Sequence, residues 1–401
     1  MQPNQPPKRK RKLGGGWLAA YRDYIVKQES PDIFHFWVGC QMISTALKRN
    51  VWIDRGAYKI YPNQYIILVA KSGASKKSAA MDIGLDLIRN VKELRVLYGR
   101  MTVEGLIDYM DHASIRPDGK ISPDGSVLIQ ADELAYLFGK QSYISDLLDF
   151  LTAAYTSRAR LDFLTRNKGF RTVRNPCPSL MAACTLAQLG DIFPSITLVS
   201  GFMARTLLIY GVRTKRVAKP LLDRSLEEFL IHDLGCIAQL WGEFKMTQEA
   251  EDAFDAWYTQ MGDPPTGDME SFYERRHDHV LKAALVLSVS ESNEKIIRLD
   301  HFDSALKSIE FIESHYPVAV AAIGATQQSL VADQIVAIVS TVYPESMSHS
   351  VLLRRIYKRL TYGAAEFQQY IDDLKETKRI KENVGTKGTF YKIANKKTDK
   401  K

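Results

Sequence analysis

Cysteine is scarce in this 401-residue chain: Cys40, Cys177, Cys184 and Cys236 stand apart, with no Cys-x-x-Cys spacing. Their scatter excludes a disulfide-stapled scaffold and the paired spacing of a zinc site, and predicts reduced core thiols in a cytoplasmic protein. Long hydrophobic runs are missing too. None reaches the roughly 18 residues of a membrane span, and the basic stretch MQPNQPPKRKRKLGGG has no apolar segment of the kind a secretory signal carries. No membrane partner is expected.

Positive charge is plentiful but confined. The formal net charge is +8, yet residues 1–16 hold five Lys/Arg and no acid, and residues 330–401 hold 14 Lys/Arg against eight Asp/Glu, which leaves the middle slightly acidic. Cations on a tail and a C-terminal segment fit DNA engaged by appendages, while a solvated tail is the plainer account of KRKRK. A chain this long accommodates two or three domains. Its patterning divides it into a disordered basic tail (1–16), N-terminal helices (17–50), an α/β core (51–222), a helical subdomain (223–318) and a C-terminal domain (328–395).

The most informative stretch is YIILVAKSGASKKSAAMDIGLDLI, residues 65–88. Ile66 to Val69 read as a buried parallel strand, and Ala79, Ile83, Leu87 and Ile88 recur at helical spacing. Between them, Ser72, Gly73, Ala74, Ser75, Lys76, Lys77 and Ser78 form a small-residue loop opening onto a helix N-terminus, where backbone N–H groups and the helix dipole favour an anion. The match to GxxxxGK[ST] is imperfect, since Ala70 and Ser75 stand where glycine is wanted if Lys76 is the lysine. The register with Lys77 as the phosphate lysine gives Ser78 the Mg²⁺-binding hydroxyl position, at the expense of one extra loop residue. A basic turn between strand and helix is the plainer alternative.

A second apolar strand, Val127 to Ala131, stops at Asp132 and Glu133. Beside a phosphate loop the first carboxylate holds Mg²⁺ and the second activates water; a helix N-terminus also favours acids there. The stretch SIRPDGKISPDG reads as an exposed loop, and RLDFLTRNKGFRTV as a hairpin whose Lys168 suits a nucleic-acid backbone or lies on an ordinary surface turn. PSLMAACT reads as a core strand ending in Thr185, placed to sense a γ-phosphate. SGFMARTLLIYGV reads as a strand carrying Arg205, whose partner is either a structural carboxylate or a phosphate. Residues 225–316 read as helical throughout. Three helices (330–343, 348–360, 364–378) and a basic hairpin then suggest a winged helix, with Gln368, Gln369, Tyr370 and Lys375 facing a groove and Lys387 on the wing; winged helices also dock proteins.

In this order LVAKSGASKKSAA, VLIQADELAYLF, PSLMAACT and SGFMARTLLIYG resemble the P-loop ATPase core of phage- and mobile-element-encoded primase–helicase-type proteins, over about residues 30–316. The resemblance implies an α/β, P-loop NTPase (RecA/AAA+-like) core using ATP and Mg²⁺, with a helical lead-in, a helical subdomain and the C-terminal winged helix. It assigns Lys77 to phosphate, Ser78 and Asp132 to Mg²⁺, Glu133 to water activation, Thr185 to sensing, and Arg205 to a phosphate in its own or a neighbouring subunit. The departures are Ala70, where the family usually has glycine, and Ala79, where a second hydroxyl is common. The expected function is a replicative helicase or helicase-like motor acting on single-stranded or forked DNA as a homo-oligomer, a hexameric ring. The alternative is an ATP-switched replication initiator or loader that binds DNA without unwinding it.

Overall fold

The structure, a computed structural model, describes every residue except 1–9, 72, 74, 117–118, 139–143, 166–168, 194–200, 266–268, 321–326, 358–359, 361–362, 386–387 and 395–401. Ser72, Ala74, Lys168 and Lys387, singled out above, lie outside the described residues. The chain separates into two compact units, Met1–Ile323 and Gly324–Lys401.

The first unit is built on a five-stranded parallel sheet of β3 (Tyr65–Ala70), β4 (Val96–Tyr98), β7 (Gly125–Ala131), β10 (Pro176–Thr185) and β11 (Thr206–Tyr210), in the order β11-β3-β10-β7-β4. All six residues of β3 and all seven of β7 are buried, as strands covered on both faces must be. Burying Ile66, Ile67, Leu68 and Val69 gains roughly 1.5–3 kcal/mol per side chain.

Helix α1 (Trp17–Tyr24) and the almost wholly buried α2 (Asp32–Leu47) pack in the same core. Helix α3 (Lys77–Arg89) lies so close to α2 at Gly84 that an added Cβ would come within 2.5 Å of a Val38 methyl. That close approach fixes where the N-terminus of α3 points.

Between β4 and β10 lie α4 (Val103–Met110), α5 (Leu134–Phe138) and α6 (Ile144–Ala154); α7 (Leu186–Ile192) follows β10. Part of the stretch expected to be an exposed loop is instead an antiparallel ribbon, β5 (Ala113–Ile115) with β6 (Ile121–Pro123). The expected hairpin forms as β8 (Arg160–Thr165) with β9 (Gly169–Arg174). Beyond β11, the segment read as helical throughout contains α8 (Glu227–Ile237), α9 (Gln248–Thr259), α10 (Glu270–Glu274), α11 (Arg276–Glu291) and α12 (Leu299–Val320), but also two strands. These, β12 (Gly242–Met246) and β13 (Ile296–Ile297), join β1 (Val51–Asp54) and β2 (Lys59–Ile60) in a second sheet, so residues 51–60 share a sheet with the helical segment and not with the main one.

The C-terminal unit comprises α13 (Gln327–Ser340), α14 (His349–Ile356) and α15 (Ala364–Glu376) with a three-stranded antiparallel sheet, β14 (Met347–Ser348), β15 (Ile380–Gly385) and β16 (Gly388–Ile393), around its own core of Ile335, Leu352, Phe367 and Ile371. Among the described residues no helix is long and apolar enough to cross a membrane. All four cysteines are buried and no disulfide joins them.

Of the expected disordered tail (1–16), residues 1–9 lie outside the described residues, and residues 10–16 are held against the first unit. Asp233, fully buried on α8, accepts the backbone N–H groups of Lys12 (2.8 Å) and Leu13 (3.1 Å), and Arg11 donates to the carbonyls of Ser290 and Ser292. His232 and Cys236 lie close to the same carboxylate. A buried carboxylate satisfied by backbone donors tethers the segment even though it is basic and glycine-rich. Asp233→Ala removes that acceptor, so stability should fall by about 1–3 kcal/mol, and limited proteolysis should cut at Lys10–Lys12 under conditions where the unaltered chain resists. Unchanged denaturation and protease resistance would contradict the tether.

Candidate functional site

Strand β3 runs out at Ala70, and the chain turns through the loop into α3. Gly73 (φ 66°) and Lys76 (φ 49°) both adopt left-handed backbone. Such turns fold N–H groups inward, and the first-turn N–H groups of α3 have no acceptor within the helix. The loop is stitched in place: the Ser75 hydroxyl, buried, donates to the Gly211 carbonyl just after β11 (3.3 Å), and the Ser30 hydroxyl donates to the Lys76 carbonyl (3.1 Å).

The two lysines of the loop differ. Lys76 is exposed, whereas Lys77 and Ser78 are half-buried. Burial lowers the Lys77 pKa below the ordinary lysine value, with nearby Cys184 and Glu133 pulling it back up. Lys77 thus lies in the field of Glu133, which follows the end of β7.

Strand β7 ends at Ala131, so Asp132 and Glu133 follow directly at the same edge. Asp132 accepts the hydroxyl of Tyr98, the last residue of β4, through Oδ2. That bond pushes the Tyr98 pKa up to about 12. The other oxygen, Oδ1, is buried with no hydrogen-bond partner among the described residues. Asp82, one turn beyond Ser78 on α3, has its pKa raised by burial and then by the neighbouring Asp132 and Asp86 carboxylates. An orphaned carboxylate oxygen near a second carboxylate that Arg89 offsets only in part, with the Ser78 hydroxyl one turn before Asp82, is an all-oxygen donor set that suits Mg²⁺. Asp82 was not singled out from sequence; its signal is the i, i+4 spacing from Ser78.

Thr185 closes β10 and pairs in register with Ala70, directly beside the loop. Its hydroxyl accepts the Gln188 N–H (3.2 Å) while the Gln188 side chain accepts the Thr185 N–H (3.0 Å), a capping box that starts α7. The sequence signal, Thr-x-x-Gln, is present in TLAQ. The Thr185 hydroxyl retains one proton to donate.

Arg205 is elsewhere. It precedes β11 instead of lying within it, and Thr206 pairs with Tyr65, the first residue of β3. Arg205 is therefore at the edge where strands begin, while the loop is where they end, about 17 Å of strand away. It cannot reach a phosphate held at Lys77 of its own chain. No carboxylate lies within ion-pair distance of it among the described residues; its Nη1 donates to the Gly201 carbonyl (2.5 Å). The reading of a buried structural ion pair is also corrected.

In the C-terminal unit Gln368 and Gln369 are exposed, with Gln368 donating to Asp372 (3.1 Å), and Tyr370 is buried in that unit's core. Lys375 is held by Glu382 and Asp372 and is not available as a groove contact. Helix α15 carries Glu366, Asp372, Asp373 and Glu376 against that one lysine, a poor match for a phosphate backbone.

The connection after β3 leads toward β4 on one side of the sheet, and the connection after β10 leads to β11 on the other. Ligands of open parallel sheets occupy the crevice where adjacent connections diverge in this way, outside the carboxyl ends of the strands. The chain is a mixed α/β protein whose five-stranded parallel sheet is compatible with Rossmann and P-loop-like folds. No family model matches it, and no curated protein matches it in sequence.

Thr185→Val, which deletes the cap but keeps the shape, should lower stability in chemical denaturation by about 1 kcal/mol, and Thr185→Ser should not. Equal stability for the two variants would remove the capping role.

Proposed function

We propose that this chain is an ATP-hydrolysing enzyme with a P-loop-type, RecA/AAA+-like core that works on DNA. The observation that carries the reading is the meeting, at one edge of the parallel sheet, of the loop, the N-terminus of α3 and the Asp132-Glu133 pair, with Lys77 in the field of Glu133. In this reading Lys77 and the first-turn N–H groups of α3 bind the β- and γ-phosphates. Ser78 and Asp132, with Asp82 behind them, would hold Mg²⁺, which when bound neutralises charge on the phosphates. Glu133 is exposed at the same edge, free to orient a water and take its proton. Thr185 offers a hydroxyl proton beside the loop.

DNA as the partner is supported by the basic C-terminal segment and by the arrangement of its unit, three helices and an antiparallel ribbon, which suits a winged helix. The cations that suit phosphate there are the exposed Arg354 and Arg355 of α14, not α15. The acidic face of α15 favours contact with a protein for that helix. Unwinding by a ring-shaped oligomer and ATP-switched loading without unwinding remain the two forms of this activity, and strand displacement on a forked DNA distinguishes them.

Lys77→Ala should weaken ATP binding about tenfold or more, and Lys76→Ala by less than about threefold, because only Lys77 is half-buried beside Glu133. Glu133→Gln should bind ATP normally and hydrolyse it at least about 100-fold more slowly. Nucleotide titration and phosphate release measure the two effects; a more damaging Lys76→Ala, or near-normal turnover in Glu133→Gln, would overturn the assignment.

A further inference from the structure

The edge of the main sheet where the strands begin carries a cavity of 890 Å³ that the reading above does not use. Six cations line it, Arg49, Lys59, Arg158, Arg205, Arg275 and Lys282, against two carboxylates, Glu274 and Asp278. Arg205 arrives there because it stands immediately before β11, on a segment pinned by His279, which bonds the Ala204 carbonyl (3.0 Å), and by Tyr316, whose hydroxyl donates to the Met203 carbonyl (3.3 Å).

Three of the cations have local explanations. Arg49 donates twice to the Ser157 carbonyl (2.9 and 3.1 Å) and stacks on Tyr61, Lys59 lies over the Trp52 ring, and the buried Lys282 donates to Asn63 through the backbone carbonyl (2.7 Å) and the side chain (2.9 Å). The other three do not. Arg158 is exposed with no partner among the described residues, Arg205 has only a backbone carbonyl and leaves its Nε buried and unbonded, and Arg275 has only a long contact to Asp278 (3.4 Å), which His277 also approaches (3.4 Å). Arg205 and Arg275 each lie in the other's field, and Lys282 feels both. Guanidiniums crowded into a cleft with too few carboxylates form a site that an anion completes, and their planar donors match a phosphate. The cavity falls within the range of small-molecule clefts, about 300–1,000 Å³. Tyr58, half exposed on its wall, adds an aromatic face of the kind on which a base stacks.

We propose that this cavity is a second phosphate site, which takes a nucleotidyl phosphate ester: the phosphate against Arg158, Arg205 and Arg275, the base along Tyr58. Two sources carry that chemistry, a free nucleotide and a nucleotide unit of a single strand. The site lies at the opposite edge of the sheet from the loop at Lys77, so it stands whether or not that loop hydrolyses ATP.

The test uses the full chain carrying Lys77→Ala, which weakens binding at the other edge, and titrates it by calorimetry at low salt with pyrophosphate, with adenosine monophosphate and with a short 5′-phosphorylated oligothymidylate. At least one of the two nucleotidyl probes should bind saturably. Arg158→Ala and Arg205→Gln should each weaken that binding about tenfold or more, and Tyr58→Ala should weaken the nucleotidyl probe while leaving pyrophosphate unchanged. Preference for the oligonucleotide assigns the site to a strand, and preference for the mononucleotide assigns it to a free ligand; both support the shared chemistry. Absence of saturable binding, or binding unmoved by the arginine variants, overturns the proposal, and an inert Tyr58→Ala overturns its nucleotidyl part. Because Arg158 is exposed, Arg158→Ala keeps the test decisive if Arg205→Gln fails to fold, as circular dichroism will report.

Discussion

Strands β3 and β7 and nearly all of β10 between them are buried, leaving no place along their length for a polar side chain to meet a ligand. Chemistry is displaced to the two ends of the sheet. Because the strands are parallel, the two ends differ: at one, strands feed into helix N-termini, as β3 feeds α3, β7 feeds α5 and β10 feeds α7. The positive ends of helix dipoles and free N–H groups gather at that edge by topology alone. An anion is favoured there before any side chain is considered, and Lys77, Asp132 and Glu133 refine which anion.

The opposite edge receives no helix N-terminus from these strands, and its positive charge comes from side chains instead. That is the costlier arrangement, because guanidinium and ammonium groups repel one another and lose hydration as they are enclosed. Burial brings the Lys282 pKa down to about 8, with Arg275 and Arg205 adding to the drop and Asp278 opposing it. Its two bonds to Asn63 and its position over the Tyr155 ring (4.0 Å) offset part of that cost. A nearby phosphate would offset more. In the proposed reading the two edges would bind anions by different physics, fixed backbone dipoles at one and charged side chains at the other, and the second should be the more sensitive to salt.

Much of the carboxyl edge was legible in the sequence because its signals are local. The apolar run of β3, the small-residue loop, the paired acids at the end of β7 and the polar end of β10 are each contained in a few adjacent residues, and the sheet brings them together. Arg205 was misplaced because its distance from the loop depends on strand direction and on which residue starts β11, which no local pattern encodes. The β5–β6 ribbon read as a loop because its stretch carries Pro117, Gly119, Pro123 and Gly125 among polar residues, and β12 read as helix because it is too short to show a period of two. Long-range pairings were out of reach: Asp233 holding Lys12 and Leu13 joins residues some 220 positions apart, and the capture of Lys375 by Glu382 depends on how β15 packs beside α15.

In the proposed function the triphosphate lies at the loop and helix N-terminus that follow β3. An ATP analogue with a lysine-acylating group on its terminal phosphate tests it most directly, since acyl transfer marks the lysines around the bound phosphates and mass spectrometry names them. Lys77, with or without Lys76, should be labelled, and excess ATP should suppress the labelling. ATP-protected labelling at Lys59 or Lys282 with Lys77 left unmodified would contradict it.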